Sequence, residues 1–165
     1  MEILELNGST NPKLCEEILD RIADIDRAVF GDSAWGRTAF AENVVNDYDF
    51  LTAAVDKTDG SGEVRDLKGC KVCGYALLRC FDDAELIMIA VDPLYRRRGI
   101  GEMLLEELIS EAKKREAAGI FLEVRESNEA ARAMYEKAGF VVTGVRRDYY
   151  HAPRENAVIM QLQLQ

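Results

Sequence analysis

The chain has one histidine, three prolines and four cysteines in 165 residues. Each scarcity removes a class of function. His151 is far along the chain from Cys70-Lys-Val-Cys73, and no second CxxC pair exists, so a zinc site lacks ligands. If Cys70 and Cys73 share a strand, their thiols point to opposite faces, which excludes joint ligation. The four cysteines, Cys15, Cys70, Cys73 and Cys80, are scattered and read as reduced structural thiols. No apolar run approaches the about 18 residues needed to span a bilayer, and no charged-then-apolar signal follows Met1. The expectation is a soluble cytoplasmic protein with no membrane partner. Positive charge is short as well. The 21 lysines and arginines stand against 30 aspartates and glutamates, for a net charge of -9. That balance argues against a partner bound through nucleic-acid phosphates and suits a cationic substrate.

What remains is a globular composition, 48% hydrophobic and 31% charged. The length is that of a single domain over residues 1–165, large enough to bury around 70% of its unfolded surface. Residues 2–6 form a candidate edge strand. From Pro12, the spacing of Leu14, Ile18, Ile22, Ile25 and Val29 predicts a helix with one apolar face. Ala34-Trp35 opens a shorter helical stretch to about Val45, and residues 50–55 alternate like a strand. Residues 56–69 are polar and glycine-rich and read as a hairpin loop before a strand over 72–80. Residues 86–91 are a short apolar run closed by Asp92-Pro93. This predicts a buried strand, because proline lacks the N–H that would continue a ladder. A helix follows to Ala117, with Gly119 as its stop. Residues 120–124 read as a strand parallel to 86–91 through a right-handed crossover. A helix capped by Asn128, with Ala131, Met134, Tyr135 and Ala138 on one face, comes next and stops at Gly139. Strands over 140–145 and 158–164 close the chain around Arg146-Arg147-Asp148-Tyr149-Tyr150-His151.

The stretch Arg96-Arg97-Arg98-Gly99-Ile100-Gly101 lies between the buried strand and the long helix. A helix start presents unpaired N–H groups and partial positive charge, and glycine allows close approach, so the loop suits a phosphate. It also fits a solvated basic turn. No Gly-Lys-Ser/Thr follows, so it is not a Walker A loop. Leu104 stands where a dinucleotide fingerprint needs its third glycine.

Arg96-x-x-Gly99-x-Gly101 resembles the acyl-CoA pyrophosphate loop of the GCN5-related N-acetyltransferases (GNAT). Leu-Glu123-Val-Arg-Glu-Ser-Asn128, the later Tyr135 and the downstream Arg-Arg-x-Tyr-Tyr are similar to the branch that acetylates ribosomal-protein alanines. The resemblance is motif-level from Ile89 to Tyr150. The 56–69 loop is longer than is typical there. The resemblance implies an α/β fold: a mixed, mostly antiparallel twisted sheet, helices on both faces and a central βαβ cofactor unit. It also implies acetyl-CoA as co-substrate, with no metal. Ile89, Ala90, Val91, Arg96, Arg97, Arg98, Gly99, Ile100, Gly101, Glu102 and Asn128 would bind it, the strand over 89–91 splaying from its neighbour so that backbone groups face the cofactor. The acceptor it implies is a protein or peptide N-terminus, a ribosomal protein, taken in a direct ternary complex. A small-molecule amine, a lysine, or acyl-CoA binding without turnover are the alternatives.

Transfer to an amine needs a base, a stabiliser for the carbonyl oxygen and an acid for the leaving thiolate. Glu123, flanked by apolar Leu122 and Val124, is the candidate base. As a plain strand carboxylate it would face Arg125 instead. Tyr135 is the candidate acid, or a core aromatic. Val91 N–H is the candidate oxyanion donor. Asn128 bonds the pantetheine arm, caps its helix, or both. Tyr149 and Tyr150, with His151, are candidates for the substrate rim or exposed hairpin aromatics. No cysteine follows Cys80, so no covalent enzyme intermediate is expected.

Overall fold

The computed structural model describes residues 1–57 and 67–164. The element order is β1 (Glu2–Leu6), α1 (Pro12–Phe30), α2 (Arg37–Val44), β2 (Asp49–Lys57), β3 (Cys70–Cys80), β4 (Ala84–Val91), α3 (Ile100–Lys114), β5 (Gly119–Arg125), α4 (Glu129–Lys137), β6 (Val141–His151) and β7 (Arg154–Gln163). All seven strands join one sheet in the order β1-β2-β3-β4-β5-β7-β6. Only β4 and β5 run parallel; the remaining neighbours are antiparallel. The crossover between the parallel pair is α3, giving the expected βαβ unit.

Two cores lie on the two faces. On one, α1 and α2 bury Leu14, Ile18, Ile22, Ile25 and Phe40 against Leu51, Ala53, Val55, Tyr75 and Leu77. On the other, α3 and α4 bury Ile100, Leu104, Leu105, Leu108 and Tyr135 against Ala54, Ala76, Leu78, Leu86, Ile120, Leu122 and Val124. The α1/α2 core takes no described residue from β5, β6 or β7, so that face of the sheet is left open beside β4. Local signals set the helices. Asn11 accepts from the Lys13 and Leu14 N–H groups at 3.1 and 3.2 Å and Pro12 takes the first position of α1, the arrangement that satisfies orphan donors. Cys73 sits in the α3/α4 core and Cys70 packs against the α1/α2 core, so the two thiols do face apart. No described helix is long and apolar enough to cross a membrane.

Several boundaries differ from the sequence reading. The second helix begins at Arg37, not Ala34. Buried Asp26 holds the chain extended there, accepting from the Trp35 N–H at 2.6 Å, the Gly36 N–H at 3.3 Å and the Tyr75 hydroxyl at 2.6 Å. The stop of α3 is not Gly119. The helix ends at Lys114 with Glu116 at φ 60, and Gly119 opens β5, where a Cβ would meet the Leu162 carbonyl oxygen at 2.9 Å. Residues 146–151 are not a loop between strands but the second half of β6. Of the 56–69 loop, 58–66 lie outside the described residues; at its ends Lys57 pairs with Cys70, as a hairpin requires.

Candidate active site

The parallel pair β4–β5 is short. Only Ala84, Leu86 and the residue between them pair with Ile120–Leu122, although both strands continue. The parting coincides with a bulge in β4. Leu77 of β3 faces Met88 and Leu78 faces Leu86, so Ile87 is the extra residue. Ile87 and Met88 consequently both pack toward the α1/α2 core, while Ile89 and Val91 pack toward the α3/α4 core. A bulge that bends one strand and ends a ladder is a common device beside functional sites.

Beyond the bulge β4 still pairs with β3, to Val91. The Asp92 N–H bonds the Cys73 carbonyl at 2.9 Å, and the Ala90 carbonyl also lies on the β3 side, 2.7 Å from where a Gly74 Cβ would be. Successive backbone groups of a strand alternate sides. The N–H and C=O of Ile89 and Val91 therefore point away from β3, into the gap left by β5. The Val91 carbonyl takes Arg96; strand groups left without such a bond need another partner.

At the end of that gap lies the start of α3. Gly99 caps it at φ 77 and offers no side chain. The first backbone hydrogen bond is Met103 N–H to the Gly99 carbonyl at 3.0 Å. The N–H groups of Ile100, Gly101 and Glu102 are the orphan donors, unopposed by any capping side chain, and the helix dipole favours an anion there. Arg96, Arg97 and Arg98 are exposed around them. Arg96 Nε donates to the Val91 carbonyl at 3.4 Å, Arg97 adopts φ 64, and the Arg98 guanidinium lies 5.0 Å from the Tyr95 ring centroid. Gly101 has a second use: a Cβ would come within 3.1 Å of Met134 Sδ, so its bareness lets α4 approach. Glu102 pairs with Lys137 at 2.8 Å across the same helix contact. Asn128 Oδ1 accepts from the Ala131 N–H at 3.2 Å as the cap of α4, which leaves its Nδ2 free to donate.

Glu123 and Tyr135 flank β5 from opposite faces. Leu122 and Val124 point into the α3/α4 core, so Glu123 points to the open face. Its partner is not Arg125. Arg146 of β6 pairs with Glu123 Oε1 at 2.9 Å, with the arginine more than half exposed. The Arg146 guanidinium also lies 5.5 Å from the Tyr149 ring centroid, and the neighbouring Glu123 carboxylate, ahead of burial, raises the Tyr149 phenol above its ordinary value. Glu85 of β4, facing Phe121 in register, lies near. Burial raises its carboxyl, the charge of Glu123 adds, and Arg79 and Arg146 oppose. Tyr135 is 4% exposed and sits 5.7 Å from the Phe140 ring. Among the described residues its hydroxyl has no hydrogen-bond partner. Burial, with a smaller contribution from Tyr150, holds that phenol well above the ordinary value, so it stays protonated.

Tyr150 connects these groups. It is half-buried, raised by burial, lowered by Arg125 and raised again by Glu123 and Tyr149. A bulge in β6 places both rim tyrosines: Arg146 faces Ala157 and Tyr150 faces Glu155, so residues 147–149 are set against Asn156 alone, with Asp148 at φ 53. His151 pairs with Arg154 at the hairpin end, beyond the cluster. Glu85, Arg125 and Arg146 went unrecognised in the sequence as site residues. For Glu85 and Arg125 the only signal was their type, a carboxylate opening an apolar strand and an arginine closing one, while Arg146 stands in the Arg-Arg-x-Tyr-Tyr run that carried part of the resemblance.

The geometry has counterparts. A model of the Acetyltransferase (GNAT) family matches residues 19–140. The [Ribosomal protein bS18]-alanine N-acetyltransferase of Escherichia coli (strain K12) is 48% identical over 95 residues, 56% of this chain. The match spans 64% of that relative's own length. The crystal structure of the ribosomal-protein-S18-alanine N-acetyltransferase from Escherichia coli superposes with a TM-score of 0.71 at 32% identity, over 99% of this chain and 95% of that one. A putative streptothricin acetyltransferase from Bacillus anthracis, solved in complex with acetyl coenzyme A, gives a TM-score of 0.61 at 25% identity, over 76% and 68%.

Proposed function

The chain belongs to the acetyltransferase (GNAT) family, and from that premise we propose that it moves the acetyl group of acetyl-CoA onto the α-amine of a protein N-terminus, the alanine of a small-subunit ribosomal protein. The observation that carries the reading is the gap between β4 and β5, with unpaired backbone on one wall and Glu123 and Tyr135 on either face of the other. The choice of acceptor rests on the 48% identical relative. One sheet through the described chain supports a single catalytic domain. The reading places the protein in the cytoplasm, with neither nucleic acid nor membrane as partner.

The residues present fit an acyl-CoA. The orphan N–H groups at the start of α3, with Arg96, Arg97 and Arg98, would hold a pyrophosphate. The gap-facing groups of Ile89 and Val91, with Asn128 Nδ2, would hold an amide-bearing arm. When bound, the thioester supplies an activated acetyl group. Val91 N–H would stabilise negative charge arising on the carbonyl oxygen. Glu123 would take a proton from the incoming ammonium, its ion-pair partner Arg146 being more than half exposed and so free to yield. Tyr135, kept protonated by burial, would give one to the departing sulfur. The proton Glu123 gains passes to water, and the second proton, shed by the nitrogen as the amide forms, returns through water to Tyr135, so one proton is released overall.

The test is mass spectrometry of a peptide panel incubated with acetyl-CoA. Peptides beginning with alanine should gain one acetyl group at the α-amine, and α-blocked peptides bearing lysine should not. Acetylation of lysine alone would sink the acceptor assignment. Calorimetric binding of acetyl-CoA with no thiol release from any amine would favour a non-catalytic acyl-CoA-binding module.

A further inference from the structure

Arg125 makes more contacts than a strand-end arginine needs. Its Nη1 donates to the Pro153 carbonyl at 3.2 Å and to Glu155 Oε2 at 3.2 Å. Its Nη2 donates to the Ala152 carbonyl at 3.3 Å. Its guanidinium lies 4.0 Å from the Tyr150 ring centroid, within cation–π range. One planar group thus clasps the β6–β7 tip and a ring on it. The clasp is reinforced beside it. Glu155 Oε1 accepts from the Ser127 N–H, and Asn156 Nδ2 donates to Glu126 Oε2 at 3.0 Å while its Oδ1 accepts from the Asp148 N–H at 3.0 Å.

The Tyr150 ring stands edge-on to Tyr149 with centroids 5.1 Å apart, the Arg146 guanidinium lies 5.5 Å from the Tyr149 ring centroid, and Arg146 pairs with Glu123 at 2.9 Å. The contacts form one physical path: guanidinium to Tyr150 ring, ring to ring, Tyr149 ring to the Arg146 guanidinium, and guanidinium to carboxylate. We propose that Arg125 is the positioning residue of the acceptor side, fixing the Glu123 carboxylate through Tyr150, Tyr149 and Arg146 while leaving the cofactor side untouched. This rests on the transferase reading for its kinetic consequence, but not for its geometric one. Lysine cannot substitute, because an ammonium has neither the fork that reaches two carbonyls nor a face to stack.

The experiment compares Arg125→Lys, Arg125→Met and Tyr150→Leu in the full chain, with the Arg125→Met/Tyr150→Leu double variant. In both Arg125 variants, amide exchange over residues 148–156 should quicken while α3 exchange is unchanged. Acceptor kcat/KM should fall roughly 10- to 100-fold, the cost of a modest misplacement, and acetyl-CoA affinity by calorimetry should stay within about twofold of wild type. The double variant should be no worse than Arg125→Met, since both changes cut one path. Wild-type exchange at 148–156 in both Arg125 variants overturns the inference whatever the activity. So does an equal fall in acetyl-CoA affinity, which would mark a general loss of fold, or a double variant whose losses simply add. A wild-type protein that acetylates no amine overturns the transferase reading instead, and the exchange data then decide the role of Arg125.

Discussion

On the proposed reading Glu123 and Tyr135 each handle one proton and neither holds the pyrophosphate, so their loss should show in turnover and not in cofactor affinity. Glu123→Gln keeps the shape and Tyr135→Phe keeps the ring. Each should lower kcat by roughly 10²–10⁴-fold with the acetyl-CoA dissociation constant nearly unchanged. Glu123→Gln should recover partly at high pH, where the amine arrives deprotonated. Wild-type kcat in either variant removes that residue from the chemistry. Glu85 is read through stability instead. Burial first, then the charge of Glu123, raises its carboxyl, so the folded protein holds that proton more tightly than the unfolded chain. Stability linked to Glu85 is full below the ordinary carboxylate range and falls as pH rises through the folded-state value. Glu85→Gln should therefore melt above wild type at about pH 8, and the two midpoints should converge toward about pH 4. Parallel midpoint curves across that range would show Glu85 to be unstrained by its neighbours.

At the scale of elements, the start of α3 makes the sharpest claim. Arg97 is exposed at φ 64 and packs against no core, so Arg97→Glu should leave the thermal midpoint near wild type. It should raise the acetyl-CoA KM by roughly 10- to 100-fold, the worth of a hydrogen bond to a charged group together with reversal of its charge. An unchanged KM would reduce the loop to a basic turn. The elements readable in advance are those with a local cause. Pro12 and Asn128 announce helix starts, the apolar run at 86–91 announces a buried strand, and the glycines at 99 and 101 announce the tight loop into α3. What escaped notice depends on pairing between distant residues. Gly119 opens a strand because the Leu162 carbonyl lies 2.9 Å from its missing Cβ, 43 residues on. Arg146, not Arg125, meets Glu123, a contact reached across β7 that depends on the order of the strands in the sheet. The bulge at Ile87 has no signature in a run as uniformly apolar as Leu-Ile-Met-Ile-Ala-Val. The site was legible as a set of residues, but its wiring was not.

Across the whole molecule, the sheet divides two chemistries. Three consecutive arginines stand at the start of α3 in a chain whose net charge is -9, which keeps anion affinity local, while the face beside Glu123 carries Glu85 as well as Arg146. Because Glu123 and Tyr135 stand on opposite faces of β5, the acceptor and the nucleotide approach by separate doorways on the proposed reading. A polypeptide acceptor has to project its first residue only as far as the gap, and the body behind it need not pass the bulky nucleotide. The two products then have separate exits. Free CoA should obstruct only the doorway of acetyl-CoA, so product-inhibition plots should show it competitive against acetyl-CoA and non-competitive against the peptide. Competition between CoA and the peptide would mean that both travel through one mouth.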